Sequence, residues 1–157
     1  MTQTLDPISR RILQFLVADG RASYQAIADE VGLSRPAVME RVKRLEEGGY
    51  ILGYHARLDR ARTGHPITAF VSVRYSATDL ESAEPAVRAL ETNPSVLECH
   101  HVAGEDCYIM KVAAPSLEAL ERILRTLREP GLAVATRTTI ALSTVFEKAG
   151  VVPVELD

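Results

Sequence analysis

The sequence predicts an α+β protein in two parts, an N-terminal helix-turn-helix unit and a C-terminal ferredoxin-like βαββαβ unit. Three observations predict it. Apolar residues recur at helical spacing in three short segments before residue 50, the last two joined through Gly32. Beyond residue 66 the pattern changes to short β-branched runs separated by two helical segments. Between them RARTGHP, 60–66, is polar and carries Gly and Pro, which marks a boundary.

The first helix starts at Asp6, an N-cap followed by Pro7 at the first helical position, and Ile8, Ile12, Phe15 and Leu16 keep its spacing until Asp19-Gly20. Ser23 caps a second helix whose apolar face is Ala26, Ile27 and Val31; Gly32 ends it, tolerating the positive φ of a sharp turn. Ser34 caps a third, with Pro36 in its first turn, an inner stripe of Val38, Val42 and Leu45, and Gly48-Gly49 as its stop.

The run ILGYHARLD, 51–59, alternates as a strand does. Strands are expected at 67–76, 96–103, 107–114 and within 132–146. A helix is expected over 82–92 with Ala83, Ala86, Val87 and Leu90 inward, and a second after Ser116 with Leu117, Leu120, Leu124 and Leu127 on one side, closed by Pro130-Gly131. The expected division is 1–50 for the helix-turn-helix, 51–66 for a hinge strand and linker, and 67–157 for the second domain. That domain packs helices on one face of an antiparallel sheet. Its other face must be polar or covered by a partner, which favours oligomers.

Apolar content of 46% and charged content of 25% are those of a soluble globular protein. No window reaches the ~20 apolar residues of a membrane span, and MTQTLDPISRR has no apolar core for a signal peptide, so a cytoplasmic protein is expected. Two cysteines, Cys99 and Cys107, make no disulfide framework. Scarce aromatics and the absence of Trp argue against single-strand binding by base stacking. The net charge of −3 is uneven: residues 1–65 carry ten Lys and Arg against eight Asp and Glu, and 66–157 carry eight against thirteen. Only the first part could approach a polyanion.

Ala28 lies four residues before Gly32 and Val38 six after it. A small residue at Ala28 lets the second helix lie close on the third, and Val38 turned into their shared core exposes the opposite side. That side carries Arg35, Ala37, Met39, Glu40, Arg41, Lys43 and Arg44. Such a helix fits the major groove of double-stranded DNA, its N-terminal N–H groups suited to phosphate. The candidate DNA-binding residues are Ser34, Arg35, Met39, Glu40, Arg41, Lys43 and Arg44. A charge run alone is more often a solvated face, here paired with Glu46 and Glu47; the spacing and caps decide for DNA.

VGLSRPAVMERVKRLEEGGYILGYHARLD resembles the helix-turn-helix signature of the leucine-responsive regulatory protein/AsnC (Lrp/AsnC) family of prokaryotic transcription regulators. VLECHHVAGEDCYIMKV is similar to the centre of that family's effector-binding module. The resemblance runs from about Leu5 to Phe146. It implies a winged helix-turn-helix, a hinge strand and a C-terminal βαββαβ module. It also implies homodimers that assemble into tetramers or octamers, and an amino-acid effector held between dimers.

The turn GEDCY, 104–108, admits three chemistries. Catalysis would need Cys107 with His100 or His101. With the turn centred on Glu105, Cys107 lies opposite Ala103, Cys99 near Lys111 and His101 opposite Ile109, leaving thiol and imidazole ~7–8 Å apart as diagonal neighbours, with no acid to orient the histidine. A metal would need Cys99, His101, Cys107 and Glu105, and the same register separates the cysteines. No catalytic residue, metal or cofactor is therefore assigned. An effector loop fits better: Gly104 frees the backbone, loop N–H groups receive a carboxylate, and Glu105 or Asp106 meets an ammonium. Cys107, Tyr108, Thr136 and Thr138 complete the candidate effector set, although β-propensity alone explains the threonines. Many amino-acid-binding members of the resembled family carry Asp where this chain has Cys107; Asp106 stands one place earlier, and neighbouring strand side chains face opposite ways. The expected function is sequence-specific transcription regulation responsive to an amino acid. The alternative is an amino-acid-binding oligomer with an architectural DNA role.

Overall fold

The computed structural model describes residues 5–75, 80–127, 135–148 and 150–153, without the side chains of 80–83 and 86. The chain divides into two compact units, Met1–Arg57 with Phe146–Asp157, and Leu58–Val145.

The first unit holds α1 (Pro7–Ala18), α2 (Tyr24–Val31) and α3 (Arg35–Glu47). Asp6 caps α1, its Oδ1 accepting from the N–H groups of Ile8 and Ser9 at 3.0 and 3.1 Å. Ser23 caps α2 through the N–H of Ala26. Gly32 then turns the chain at φ +69°, where a residue with a Cβ would be strained, and its N–H returns to the Ala28 carbonyl. Ile12, Leu13, Ile27, Ala28, Val38, Val42 and Leu45 form the core. Leu13, which the expected stripe of α1 omitted, is buried; Ala26, expected inward, is exposed.

Residues 51–59 form no strand, against expectation. Alternation supplies a strand's faces but not its hydrogen bonds, and no strand among the described residues lies alongside this run. Leu52 and Leu58 stand 93% and 65% exposed. The described residues of the first unit likewise contain no paired strands that would make a wing.

The second unit follows the expected order: β1 (Ile67–Arg74), α4 (Leu80–Ala89) running into a 3₁₀ turn to Thr92, β2 (Val96–His101), β3 (Tyr108–Ala114), α5 (Leu117–Leu127) and β4 (Ala135–Ile140). The sheet is antiparallel throughout, in the order β2-β3-β1-β4. Expectations for Ser76, the Pro130-Gly131 stop and 132–134 lie outside the described residues, as do those for the side chains of Ala83 and Ala86.

Ala69, Val71, Val73, Tyr108, Met110 and Val112 turn one sheet face toward Val87, Leu90, Ala119, Leu120, Ile123 and Leu127. On α5 the buried stripe runs through Ala119 and Ile123; Leu117 is exposed and Leu124 half-buried, so the expected four-leucine face is rotated. The other sheet face carries Phe70, Ser72, Arg74, Ile109, Lys111 and Arg137, with Phe70 exposed.

Candidate functional site

Packing of Val38, Val42 and Leu45 onto α1 and α2 turns the opposite side of α3 to solvent. There the side chains of Glu40, Lys43 and Arg44 are 57%, 67% and 73% exposed. Met39 and Arg35 are exposed as well, and Ala37 half-buried. Arg44 Nε lies 3.0 Å from Glu40 Oε1, and Lys43 Nζ 3.7 Å from Glu47 Oε1. Exposed pairs one helical turn apart contribute only ~0.3–0.5 kcal/mol each, so either cation is readily released to a phosphate.

Ser34 holds the N-cap position of α3, and its carbonyl accepts from Val38 N–H at 3.1 Å, but its hydroxyl makes no capping bond. Pro36, the second helical residue, removes one of the two N–H groups an N-cap side chain can meet, and the Ser34 hydroxyl does not take the other, on Ala37. The expectation that Ser34 caps α3 through its side chain is corrected accordingly. The hydroxyl remains at an exposed helix N-terminus.

Arg41 stands apart from the rest of the expected face. Three residues after Val38 and next to Val42, it lies on the flank of the buried stripe with its side chain 34% exposed. Its Nη1 donates to Asp6 Oδ2 at 2.8 Å and to Ser9 Oγ at 3.2 Å. Burial opposes ionisation of Asp6, but hydrogen bonds from Ser9 and from the Arg41 guanidinium prevail and lower its carboxyl pKa. Tyr54 makes a second tie in this unit, donating its hydroxyl to Glu46 Oε1 at 3.0 Å. Burial and the Glu46 carboxylate push its phenol up to about 12.

In the second unit the hairpin register differs by one residue from the expected one. Val102 N–H donates to the Cys107 carbonyl at 2.9 Å, His101 pairs with Tyr108 and Cys99 with Met110. The loop is therefore the four residues 103–106, not one centred on Glu105. His101 stacks on Tyr108 with ring centroids 5.0 Å apart and planes 27° apart. Cys107 falls opposite Val102, just before β3 begins, and packs against the edge of the core cluster that includes Tyr75 and Tyr108. No group of three His, Cys, Asp or Glu among the described residues could hold a metal ion.

The expected effector residues do not converge within one chain. Gly104, at φ +145°, and Glu105 are exposed at the tip, and a Cβ at Gly104 would meet nothing within 4 Å. Its glycine is demanded by backbone conformation, not by close approach. Asp106 pairs across the sheet with Arg137, Oδ2 to Nη2 at 2.7 Å. The Cys107 thiol is half-buried beside the Tyr75 backbone, 3.5 Å from its N–H. Tyr108 is buried, in edge contact with Tyr75. Thr136 lies opposite Val73 and Thr138 opposite Val71, on the helix-covered face and two strands from β3.

A cavity of about 650 Å³ opens between α4 and β2, lined among others by Arg88, Leu90, Cys99, His101 and Tyr108. Tyr108 alone belongs to the expected effector set. Burial raises the pKa values of Tyr108 and Cys99, which favours their neutral forms. Leu97, Cys99 and His101 alternate along β2, and only the register and packing show that they face this cavity. Asp6 was legible as a cap; nothing local showed that its second oxygen is taken by Arg41.

Comparison with known proteins agrees with this architecture. Residues 5–46 match the family model of the AsnC-type helix-turn-helix domain, and 68–151 that of the Lrp/AsnC ligand binding domain. The HTH-type transcriptional regulator LrpA of Mycobacterium tuberculosis is 39% identical over 155 residues, 98% of this chain and all of the relative. The leucine-responsive regulatory protein of Escherichia coli K12 is 37% identical, covering 90% of this chain and 87% of the relative. A solved structure of the feast or famine regulatory protein from M. tuberculosis complexed with L-methionine superposes with a TM-score of 0.86 at 38% identity, covering 95% of this chain and 99% of that one. An exposed basic helix in a helix-turn-helix, a βαββαβ module behind it in sequence and matches along nearly the whole length identify the chain as a member of the Lrp/AsnC family of DNA-binding transcription regulators.

Proposed function

We propose that this regulator reads its operator with the exposed side of α3 and answers to an amino acid bound at the β2–β3 hairpin. The observation that carries the first half is the burial of Val38, Val42 and Leu45, which leaves one basic side of α3 to solvent. Ser34 and Arg35 at the helix N-terminus suit phosphate, Met39 and Glu40 reach base edges, and Lys43 and Arg44 hold the DNA backbone. Replacing Lys43 or Arg44 with Ala should weaken operator binding and lower the slope of log affinity against log salt by about one per lost phosphate contact. Unchanged affinity and slope in both variants would show that another surface meets DNA.

An amino-acid effector is supported by the match to the ligand binding domain and by the methionine complex of the M. tuberculosis relative. At the hairpin tip, exposed Glu105 suits an ammonium group and the N–H groups around Gly104 suit a carboxylate. Asp106, already paired with Arg137, orders the loop, and half-buried Cys107 gives the site a less polar wall than an Asp would. Tyr108 backs the loop from the core. Thr136 and Thr138 stand two strand spacings from β3, ~10 Å. If they line the same pocket, a second copy of the chain supplies them. Calorimetry against the twenty amino acids should give heat with at least one; none with any of them would remove the effector from this account.

The open sheet face, with exposed Phe70 beside Ile109, suits a homodimer, and dimers of dimers would bring hairpin tips together. Among the described residues no helix is long and apolar enough to cross a membrane, and a regulator of this kind works in the cytoplasm, where its DNA is.

A further inference from the structure

Asp6, Ser9 and Arg41 form a closed polar triangle. Asp6 Oδ2 accepts from Ser9 Oγ at 2.6 Å and from Arg41 Nη1 at 2.8 Å, and the same Nη1 donates to Ser9 Oγ at 3.2 Å. Asp6 Oδ1 meanwhile caps α1. Ser9 is the one buried polar residue of the described chain, 7% exposed, and its hydroxyl both donates, to Asp6, and accepts, from Arg41. The triangle joins the first turn of α1 to the middle of α3 across 35 residues of sequence.

We propose that Asp6 is a positioning residue for DNA recognition: it acts through Arg41 to fix the rotation of α3, and Arg41 serves this tie in place of a phosphate. The proposal rests on the reading of α3 as the recognition helix. The apolar stripe that seats α3 has only three buried members, Val38, Val42 and Leu45, and apolar contact is weakly directional. A charge-assisted hydrogen bond on the flank of that stripe supplies the missing direction. Rotating α3 by about 30° would carry a side-chain end ~5–6 Å from the axis through ~3 Å, a whole hydrogen-bond length, and base contacts would be lost. Phosphate contacts tolerate such a shift better, because a lysine or arginine re-aims on a flexible stem.

Charge alone makes the opposite forecast for Asp6. Removing an anion from a DNA-binding unit should strengthen its hold on a polyanion. Asp6→Asn separates the two, since Asn caps a helix as well as Asp does but offers Arg41 no carboxylate. The expected result, in protein verified as folded, is about tenfold weaker binding to the selected site and binding to random-sequence DNA within about twofold of wild type. Arg41→Ala should lose affinity for the selected site with the salt slope unchanged, and the double variant should lose no more than the worse single one. Asp6→Asn binding its site as tightly as wild type, or tighter, would overturn the proposal. So would a slope lowered by about one in Arg41→Ala, which would make Arg41 itself a phosphate contact. Lys43→Ala and Arg44→Ala run beside them: no effect from these two would instead overturn the reading of α3.

Discussion

Asp6 shows how one side chain can serve a helix and the contact between two helices at once. Its position before Pro7 made the cap legible, because capping is local chemistry. The bond to Arg41 is not local, and a carboxylate 35 positions away leaves no mark on the pattern of α3. Arg41 therefore reads in the sequence as one more cation on an exposed face, and its half-buried, engaged state emerges only from packing. The lowered Asp6 pKa has a consequence for stability. A carboxyl whose folded pKa lies below its ordinary value of 3.8 contributes stability that is present above 3.8 and is lost as pH falls through the folded value. The stability advantage of wild type over Asp6→Asn, followed by chemical denaturation, should accordingly shrink as pH falls below 4. An advantage independent of pH would mean that the carboxylate is not the source. Gly32 tests the turn in the same way: Ala at φ +69° should cost about 1 kcal/mol, read as a lower melting temperature.

At the scale of elements, order and type were legible because period and caps carry them. Every helix and all four strands of the βαββαβ unit stand where the pattern placed them, within the described residues. Relations between elements were less legible. The hairpin closes with four loop residues, so the register differs by one from a turn centred on Glu105 and brings His101 onto Tyr108. Both registers keep the same residue types in the loop; the difference lies in backbone hydrogen bonds such as Val102 to Cys107. Residues 51–59 alternate convincingly yet have no strand beside them among the described residues, a fact that alternation cannot report. The small core of the first unit makes its own forecast. Ile27, fully buried between α2 and its neighbours, should cost ~2–5 kcal/mol when truncated to Ala. A unit of some fifty to sixty residues has ~3–9 kcal/mol in total at typical values per residue. Ile27→Ala should therefore melt the DNA-binding unit well before the sheet unit, giving two thermal transitions; a single transition at the wild-type temperature would contradict this packing.

At the scale of the whole molecule, a DNA-reading unit and a ligand-type module share one chain, and membership of a family of transcription regulators gives that pairing its purpose. An effector can alter DNA reading only by binding two arrangements of the assembly with different affinity. Thr136 and Thr138 lie two strands from the hairpin, so under the proposed effector reading a second copy of the chain would supply them. The sequence brought the candidate residues into view as types, and the sheet order showed that they belong to different places. Selection of binding sites from random DNA by the pure protein, with and without amino acids, measures operator reading and effector response together. The expected outcome is a pseudo-palindromic motif that depends on Lys43 and Arg44 and whose enrichment shifts with at least one amino acid. Recovery of no motif under any condition would contradict it and favour an architectural role on DNA.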